Sequence, residues 1–230
     1  MTRTTNARIA GFTFLFYIAI GITSMVLFSH ATSGAEDTAT KLASIAQNVS
    51  LVGIDIVISL LAATCALVLA VTLYALTRDE DPDLAMLALC CRLSEGVILF
   101  TLGPLISLGL LSVATVSTGA AGTDAAAANA IGAVLFKMGG WAPIIPATSF
   151  AVGSTIFSYL FLRSKSIPVP LALLGVLASI LLVVVIPLQL AGFIKGIWFI
   201  WIPMLVFEVT LALWLIIKGV KNNIPTIDKQ

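Results

Sequence analysis

Six long apolar runs constrain the fold of this chain more than any other feature of its sequence. The hydrocarbon core of a bilayer is about 30 Å thick, and about 20 residues of α-helix cross it at 1.5 Å per residue. The runs that reach this length are residues 9–29, 51–77, 84–113, 140–162, 168–190 and 194–217. Because lipid offers the backbone no hydrogen bonds, we predict an all-α fold: a single polytopic domain, 1–230, that forms a bundle of six transmembrane helices.

Composition supports a membrane protein and excludes other classes. Of the 230 residues, 60% are hydrophobic and 10% are charged, whereas soluble domains carry about a quarter charged residues. With a net charge of +1, the chain lacks the basic surface that nucleic-acid binding needs. A single histidine, His30, and three cysteines within apolar runs provide no metal-binding or haem-binding spacing. We therefore expect no metal site and no cofactor, and the lipid bilayer as the main partner.

The N-terminal run resembles a secretion signal in some respects. Arg3 and Arg8 precede it, and Ser33-Gly34-Ala35 is small enough for cleavage. The apolar region of a signal peptide has about 7 to 15 residues, whereas this run has about 20. We therefore expect the first run to be kept as a transmembrane span.

Basic residues outside the runs predict the orientation of the chain, since Lys and Arg are retained on the cytoplasmic side. With the N-terminus inside, the cytoplasmic residues would be Arg3, Arg8, Arg78, Arg163, Lys165, Lys218, Lys221 and Lys229. Only Lys41 and Lys195 would lie outside, with Lys137 near the outer boundary. We predict that both termini are cytoplasmic.

Two segments on the predicted outer side are long enough to form helices. In 36–48, Leu42 and Ile45 recur at helical spacing among polar residues, which predicts an amphipathic helix on the outer membrane face.

The second segment, 117–129, is rich in small residues. Thr123 or Asp124 could cap an alanine helix there, and we expect Gly139 and Gly140 to end that helix before the fourth span.

Ionisable residues at membrane depth are the candidate site. A charge at a helix centre costs about 2.5 to 3.5 kcal/mol, so such side chains should face the interior and pair. At 1.5 Å per residue, Arg92 and Glu95 lie about 12 and 16 Å into the third run, and Glu208 lies about 13 to 14 Å into the sixth. Arg92 and Glu95 share a helix face because they are three residues apart. We predict a polar cluster of these three residues, with a contact between Arg92 and Glu208.

Two further features are weaker candidates. Asp55 lies one turn inside the second run, where it could make a boundary hydrogen bond or line an outward cavity with Lys137 as its counter-ion. Pro203 removes an amide donor from the sixth run, five residues before Glu208, so it is a candidate hinge.

Four parts of the chain resemble the DUF4386 family. They are Arg8-Ile9-Ala10-Gly11 at the start of the first run, the intramembrane Arg92, the stretch from Tyr159 to Pro168, and the stretch from Glu208 to Gly219. This family consists of bacterial six-span membrane proteins of unknown function. The resemblance implies the six-span topology and the bacterial inner membrane, and it implies no activity.

Three functions from different classes fit these residues. The first is binding or transport of a small polar or amphiphilic molecule at a buried Arg-Glu cluster. The second is a structural or accessory subunit of a larger membrane complex, in which the buried charges specify helix packing. The third is a metal-free intramembrane enzyme that uses Glu95 or Glu208 as an acid or base, for which the sequence offers no nucleophile beside a base.

Overall fold

The computed structural model describes residues 2–33, 36–118, 122–196 and 198–220, and every element in these ranges is a helix. The elements are α1 (Arg3–Ala31), α2 (Thr38–Gln47), α3 (Val49–Thr77), α4 (Pro82–Ser117), α5 (Thr123–Trp141), α6 (Ile144–Ser164), α7 (Val169–Leu190), a 3-10 turn (Trp198–Trp201) and α8 (Ile202–Ile217). Gly34, Ala35, Lys221 and Lys229, which the sequence arguments used, lie outside the described residues.

Within the described ranges, six helical stretches are long and apolar enough to cross a membrane. They are Arg3–Ala31, Val49–Thr77, Pro82–Ser117, Thr123–Ser164, Val169–Leu190 and Trp198–Ile217. The predicted all-α, six-span fold is therefore confirmed. The first four predicted runs lie inside these stretches, and the last two stretches begin one and four residues later than predicted. The orientation of the termini stays a prediction.

The described residues group into two compact units. The first is drawn from Met1–Leu15, Leu67–Ser94 and Thr148–Gln230, and the second from Phe16–Ala66 and Glu95–Ala147. Helices α1, α3, α4 and α6 contribute residues to both units. The prediction of a single domain is not tested by this grouping.

The predicted amphipathic helix is present as α2, but its apolar side packs on protein. Leu42 and Ile45 are fully buried in a core formed with Ala31, Val52 and Leu110 of α1, α3 and α4. Burial of these side chains removes the apolar area that a helix lying on lipid would need. Helix α2 is thus a packed part of the second unit.

Helix α5 corrects two predictions. Its N-cap is Gly122, which has φ 63° and makes no side-chain cap, so Thr123 and Asp124 are its first residues and neither caps it. The helix also continues through Gly139 and Gly140 to Trp141. The interruption falls instead at Ala142 and Pro143, because proline lacks the N–H of a helical hydrogen bond and its ring clashes with the preceding turn, whereas glycine costs only about 1 kcal/mol.

Pro203 lies at the start of the helix of the sixth span, where it breaks no helical hydrogen bond. Helix α8 begins at Ile202, directly after the 3-10 turn, so Pro203 lies in its first helical turn. The N–H groups of a first turn have no partner within the helix, and proline therefore fits there without losing a hydrogen bond. A role for Pro203 as a hinge stays a prediction.

Small residues let the helices of the first unit approach closely. A Cβ on Gly175 of α7 would lie 2.5 Å from the ring of Phe207 on α8 and 2.6 Å from Oγ of Ser158 on α6. A Cβ on Gly11 of α1 would lie 2.6 Å from the carbonyl oxygen of Ala212 on α8. Close approach at small residues is a major source of packing energy between membrane helices.

Ion pairs join three segments of the first unit that the predicted topology puts on the same side of the membrane. Arg3 at the start of α1 pairs with Asp79 at 2.9 Å. Arg163 at the end of α6 pairs with Glu80 at 2.9 Å and with Asp81 at 3.2 Å. The three acidic residues form the turn between α3 and α4. These pairs are partly exposed, so each contributes at most about 1 kcal/mol.

Candidate functional site

Arg92 is the most deeply buried charge of the first unit. It lies on α4, and only 1% of its surface is exposed. Its guanidinium carbon is 4.7 Å from the centroid of the Phe150 ring on α6, within the distance at which a cation is attracted to an aromatic face. The ring therefore stabilises part of the positive charge in a region without bulk water.

Glycine at position 153 makes room for the arginine side chain. A Cβ there would lie 3.0 Å from Cγ of Arg92 and 3.2 Å from the carbonyl oxygen of Ala88. Phe150 and Gly153 are three residues apart on α6, so they share the helix face that meets Arg92. Neither residue was predicted from the sequence. Their spacing of three residues is the feature of the sequence that could have indicated them.

A second aromatic ring extends the contact of Phe150. The ring centroids of Phe150 and Trp201 are 6.4 Å apart with an interplanar angle of 37°. Trp201 ends the 3-10 turn before α8. Within the first unit, the Arg92 guanidinium thus lies against the Phe150 ring, and this ring in turn lies beside the Trp201 indole.

Glu208 is the buried acidic residue of α8. It is 8% exposed, and its neighbours on the helix, Phe207, Leu211 and Ala212, are buried too. Arg92 and Glu208 therefore place opposite charges inside the same unit. Their direct contact stays a prediction.

Glu95 belongs to the second unit, although it follows Arg92 by three residues on α4. It is 2% exposed, and the hydroxyl of Tyr17 on α1 donates to Glu95 Oε1 at 3.2 Å. Tyr17 was missed by the sequence reasoning, because nothing in an apolar run marks which tyrosine meets an acid on another helix.

Asp55 is held by a hydroxyl group rather than by a lysine. It is 5% exposed, and Ser24 Oγ donates to its Oδ1 at 2.5 Å. The ammonium of Lys137 lies 5.5 Å from the Trp141 ring centroid, and among the described residues no ion pair joins it to Asp55. The hydrogen bond from Ser24 agrees with the boundary hydrogen bond predicted for Asp55, and a role in an outward cavity with Lys137 stays a prediction.

Tyr17 and Ser24 lie on the same helix with a spacing that explains their shared role. They are seven residues apart on α1, which returns a side chain to the same helix face after two turns. One face of α1 thus supplies the hydroxyl groups for both buried acids of the second unit.

Within the described residues, no group of three or more His, Cys, Asp or Glu side chains could hold a metal ion.

The six apolar stretches and their enclosed charges define a multi-pass integral membrane protein. A family model described as "Domain of unknown function (DUF4386)" matches residues 9–219. The chain belongs to this family. Searches of curated proteins and of solved structures find no significant match.

Proposed function

We propose that this protein binds a small polar or amphiphilic molecule, or carries it across the bilayer, with Arg92 and Glu208 as recognition groups. The observation that carries the proposal is the burial of both charges within one unit of the protein. Ionisable residues inside membrane segments are costly and mark binding sites or transport pathways more often than not. A structure that needed only helix packing could use apolar residues there.

The chemistry of Arg92 suits an acidic group on the ligand. A guanidinium has five N–H donors in one plane and can hold a carboxylate or phosphate through two hydrogen bonds. The Phe150 ring lies against the guanidinium and offers it no hydrogen-bond acceptor in the ring plane. Glu208 could balance the charge of Arg92 in the absence of ligand, and protonation of this carboxylate could couple binding to proton movement.

The same proposal includes a location. We propose that the protein resides in the inner membrane of a bacterium with both termini in the cytoplasm. The excess of basic residues on that side supports the orientation. The ion pairs of Arg3 and Arg163 with the turn between α3 and α4 support the six-span topology, since they join segments that this topology puts on one side.

A second candidate is a structural or accessory subunit for a larger membrane complex. The fit of Arg92 against Gly153 and Phe150 favours it, because a tightly enclosed charge can specify how helices pack without binding any ligand. An enzymatic role for Glu95 or Glu208 has no such observation in its favour.

Glu208→Gln separates the two candidates. The purified full-length protein and this variant are titrated in nanodiscs with decanoate and with decanamide, which share a chain and differ in charge. The binding proposal expects saturable binding of decanoate, weaker binding of decanamide, and tighter binding of decanoate in a Glu208→Gln variant that still folds, because the carboxylate that competes with the ligand for Arg92 is removed. Glu36→Gln, at an exposed position, is the matched control and should bind as the unchanged protein does.

Two results would contradict the binding proposal. One is decanoate binding that Glu208→Gln leaves unchanged. The other is the absence of binding by any form, together with a Glu208→Gln variant that fails to accumulate or loses about 3 to 5 kcal/mol of stability, which is the cost of leaving one partner of a buried pair alone. The second result would favour the structural candidate.

A further inference from the structure

We propose that the second unit carries a binding site for a small uncharged molecule rich in hydroxyl groups, such as a sugar. The site is a half-open cavity of about 450 Å³ between α2, the end of α4 and the start of α5. Binding sites for small molecules typically have volumes of about 300 to 1,000 Å³. This inference does not depend on the function proposed for Arg92 and Glu208.

Alanine side chains keep this cavity open. Ala39, Ala43 and Ala46 lie on one face of α2 at spacings of four and three residues, and Ala125 faces them from α5. The apolar contacts of α2 with the core and its N-terminal cap hold this wall in place. The space is therefore a fixed feature of the unit and does not depend on a long side chain swinging aside.

Two side-chain amides provide the polar groups of the cavity. Gln47 at the end of α2 and Asn129 on α5 both line it. In the part of the chain that the structure describes, neither amide has a hydrogen-bond partner. Each offers two N–H donors and a carbonyl acceptor, the mixed set that hydroxyl groups on a ligand can satisfy in both directions.

Two hydroxyl groups of the protein add acceptors at the end of α4. Ser117 Oγ donates to the carbonyl oxygen of Ala114 at 2.9 Å, and Thr118 Oγ1 donates to the same oxygen at 3.1 Å. Because both protons are used in these bonds, the two hydroxyl oxygens can offer a ligand only acceptor lone pairs. A ligand must therefore bring donors of its own, as a sugar or polyol does.

The absence of charge in the cavity wall selects an uncharged ligand. None of the described lining residues is acidic or basic. Because the lining residues are exposed or half-buried, a charged molecule would lose part of its hydration on entry without meeting an opposite charge, whereas a hydroxyl group would lose less.

The test uses the full-length protein in nanodiscs and measures binding by calorimetry. Glucose and maltose are the uncharged probes, and glucose 6-phosphate and glucosamine are the charged ones. Nanodiscs that contain a monoglucosyl lipid form a further arm, which separates a free sugar from a sugar head group as the source of the same chemistry. We expect saturable binding of an uncharged probe, either free or as the head group, and binding at least about tenfold weaker for its charged counterparts.

Three variants locate the binding. Gln47→Ala and Asn129→Ala each remove one amide and should weaken binding about threefold to tenfold, the value of a hydrogen bond or two. Ala43→Phe fills the cavity and should abolish binding. Ala127→Phe is the matched control, because Ala127 is exposed on α5 and does not line the cavity.

The proposal is overturned if no uncharged probe binds in either form, if the charged probes bind equally well, or if Ala43→Phe binds as strongly as Ala127→Phe. All four variants change side chains at exposed or half-buried positions, so they should fold and report on binding directly.

Discussion

The guanidinium carbon of Arg92 lies 4.7 Å from the centroid of the Phe150 ring, and this pair links α4 to α6 inside the first unit. A cation that is shielded from water interacts more strongly with an aromatic face than an exposed one does, and the interaction reaches about 2 kcal/mol. The ring therefore compensates part of the cost of enclosing the charge.

A double-mutant cycle of Phe150→Leu with Arg92→Leu should measure that interaction. We expect a coupling energy of about 0.5 to 2 kcal/mol, because leucine keeps an apolar contact and removes the π face. Unfolding of each form in mixed micelles gives the four free energies. Additive effects of the two substitutions would show that the ring contributes only apolar area.

Gly175→Ala should destabilise the first unit. The added Cβ would lie 2.5 Å from the Phe207 ring and 2.6 Å from Ser158 Oγ, so α7 and α8 would have to separate. Overpacking of this kind costs about 1 to 3 kcal/mol of unfolding free energy. Gly21→Ala in α1 is the control: beyond its chain neighbours and its own helix backbone, no atom lies within 4 Å of the added Cβ, and alanine should stabilise α1 there by about 0.5 to 1 kcal/mol. Equal effects of both substitutions would contradict the packing described here.

Ser24→Ala should destabilise the second unit because it leaves Asp55 without the hydroxyl that donates to it. Loss of a donor to a buried acceptor costs about 1 to 3 kcal/mol. Thr23→Ala provides the comparison, since the Thr23 hydroxyl donates only to the backbone of its own helix at an exposed position, and its loss should change stability by less than about 0.5 kcal/mol. Thermal unfolding of both variants in the same detergent tests the difference, and a Ser24→Ala variant as stable as Thr23→Ala would refute it.

The N-terminus of α2 should be sensitive to acid. The Thr40 hydroxyl, and then the Thr40 backbone amide, donate to the Asp37 carboxylate and hold the pKa of Asp37 below its ordinary value of 3.8. Because folding lowers the pKa of Asp37, the cap stabilises α2 at pH values above the ordinary pKa of this carboxyl. This stabilisation is lost as the pH falls through the pKa of the folded state. Hydrogen exchange of the first α2 amides between about pH 5 and pH 2 should show a loss of protection, after correction for the intrinsic rates.

Asp37→Asn is the control for this effect. Asparagine keeps an acceptor oxygen at the cap and does not titrate, so protection of α2 should stay level over the same pH range. A variant that loses protection in parallel with the unchanged protein would assign the acid sensitivity to another group.

Local signals predicted part of the architecture, and the errors have clear physical causes. Glycine and proline both discourage helices, but only proline removes a donor, so α5 passes Gly139 and Gly140 and stops before Pro143. Spacing predicted the amphipathic α2. It could not tell whether the face with Leu42 would meet lipid or protein, because both environments favour the same side chains.

The partners of the buried charges were beyond reach from sequence. Ser24 is 31 residues from Asp55, and Tyr17 is 78 residues from Glu95. Each pair depends on how two helices rotate against one another. A spanning helix that is apolar on all sides carries little information about that rotation, because lipid and protein interior both accept any of its faces.

By itself, the amino-acid sequence determined that six helices can span a membrane and that Arg92, Glu95, Asp55 and Glu208 must be enclosed. Both follow from transfer free energies that depend on the residues of one segment at a time. Only the tertiary structure decided what encloses them. It placed Phe150 on Arg92 and grouped Glu95 with Tyr17 in the other unit, because helix rotation and close approach at small residues depend on the whole packed arrangement.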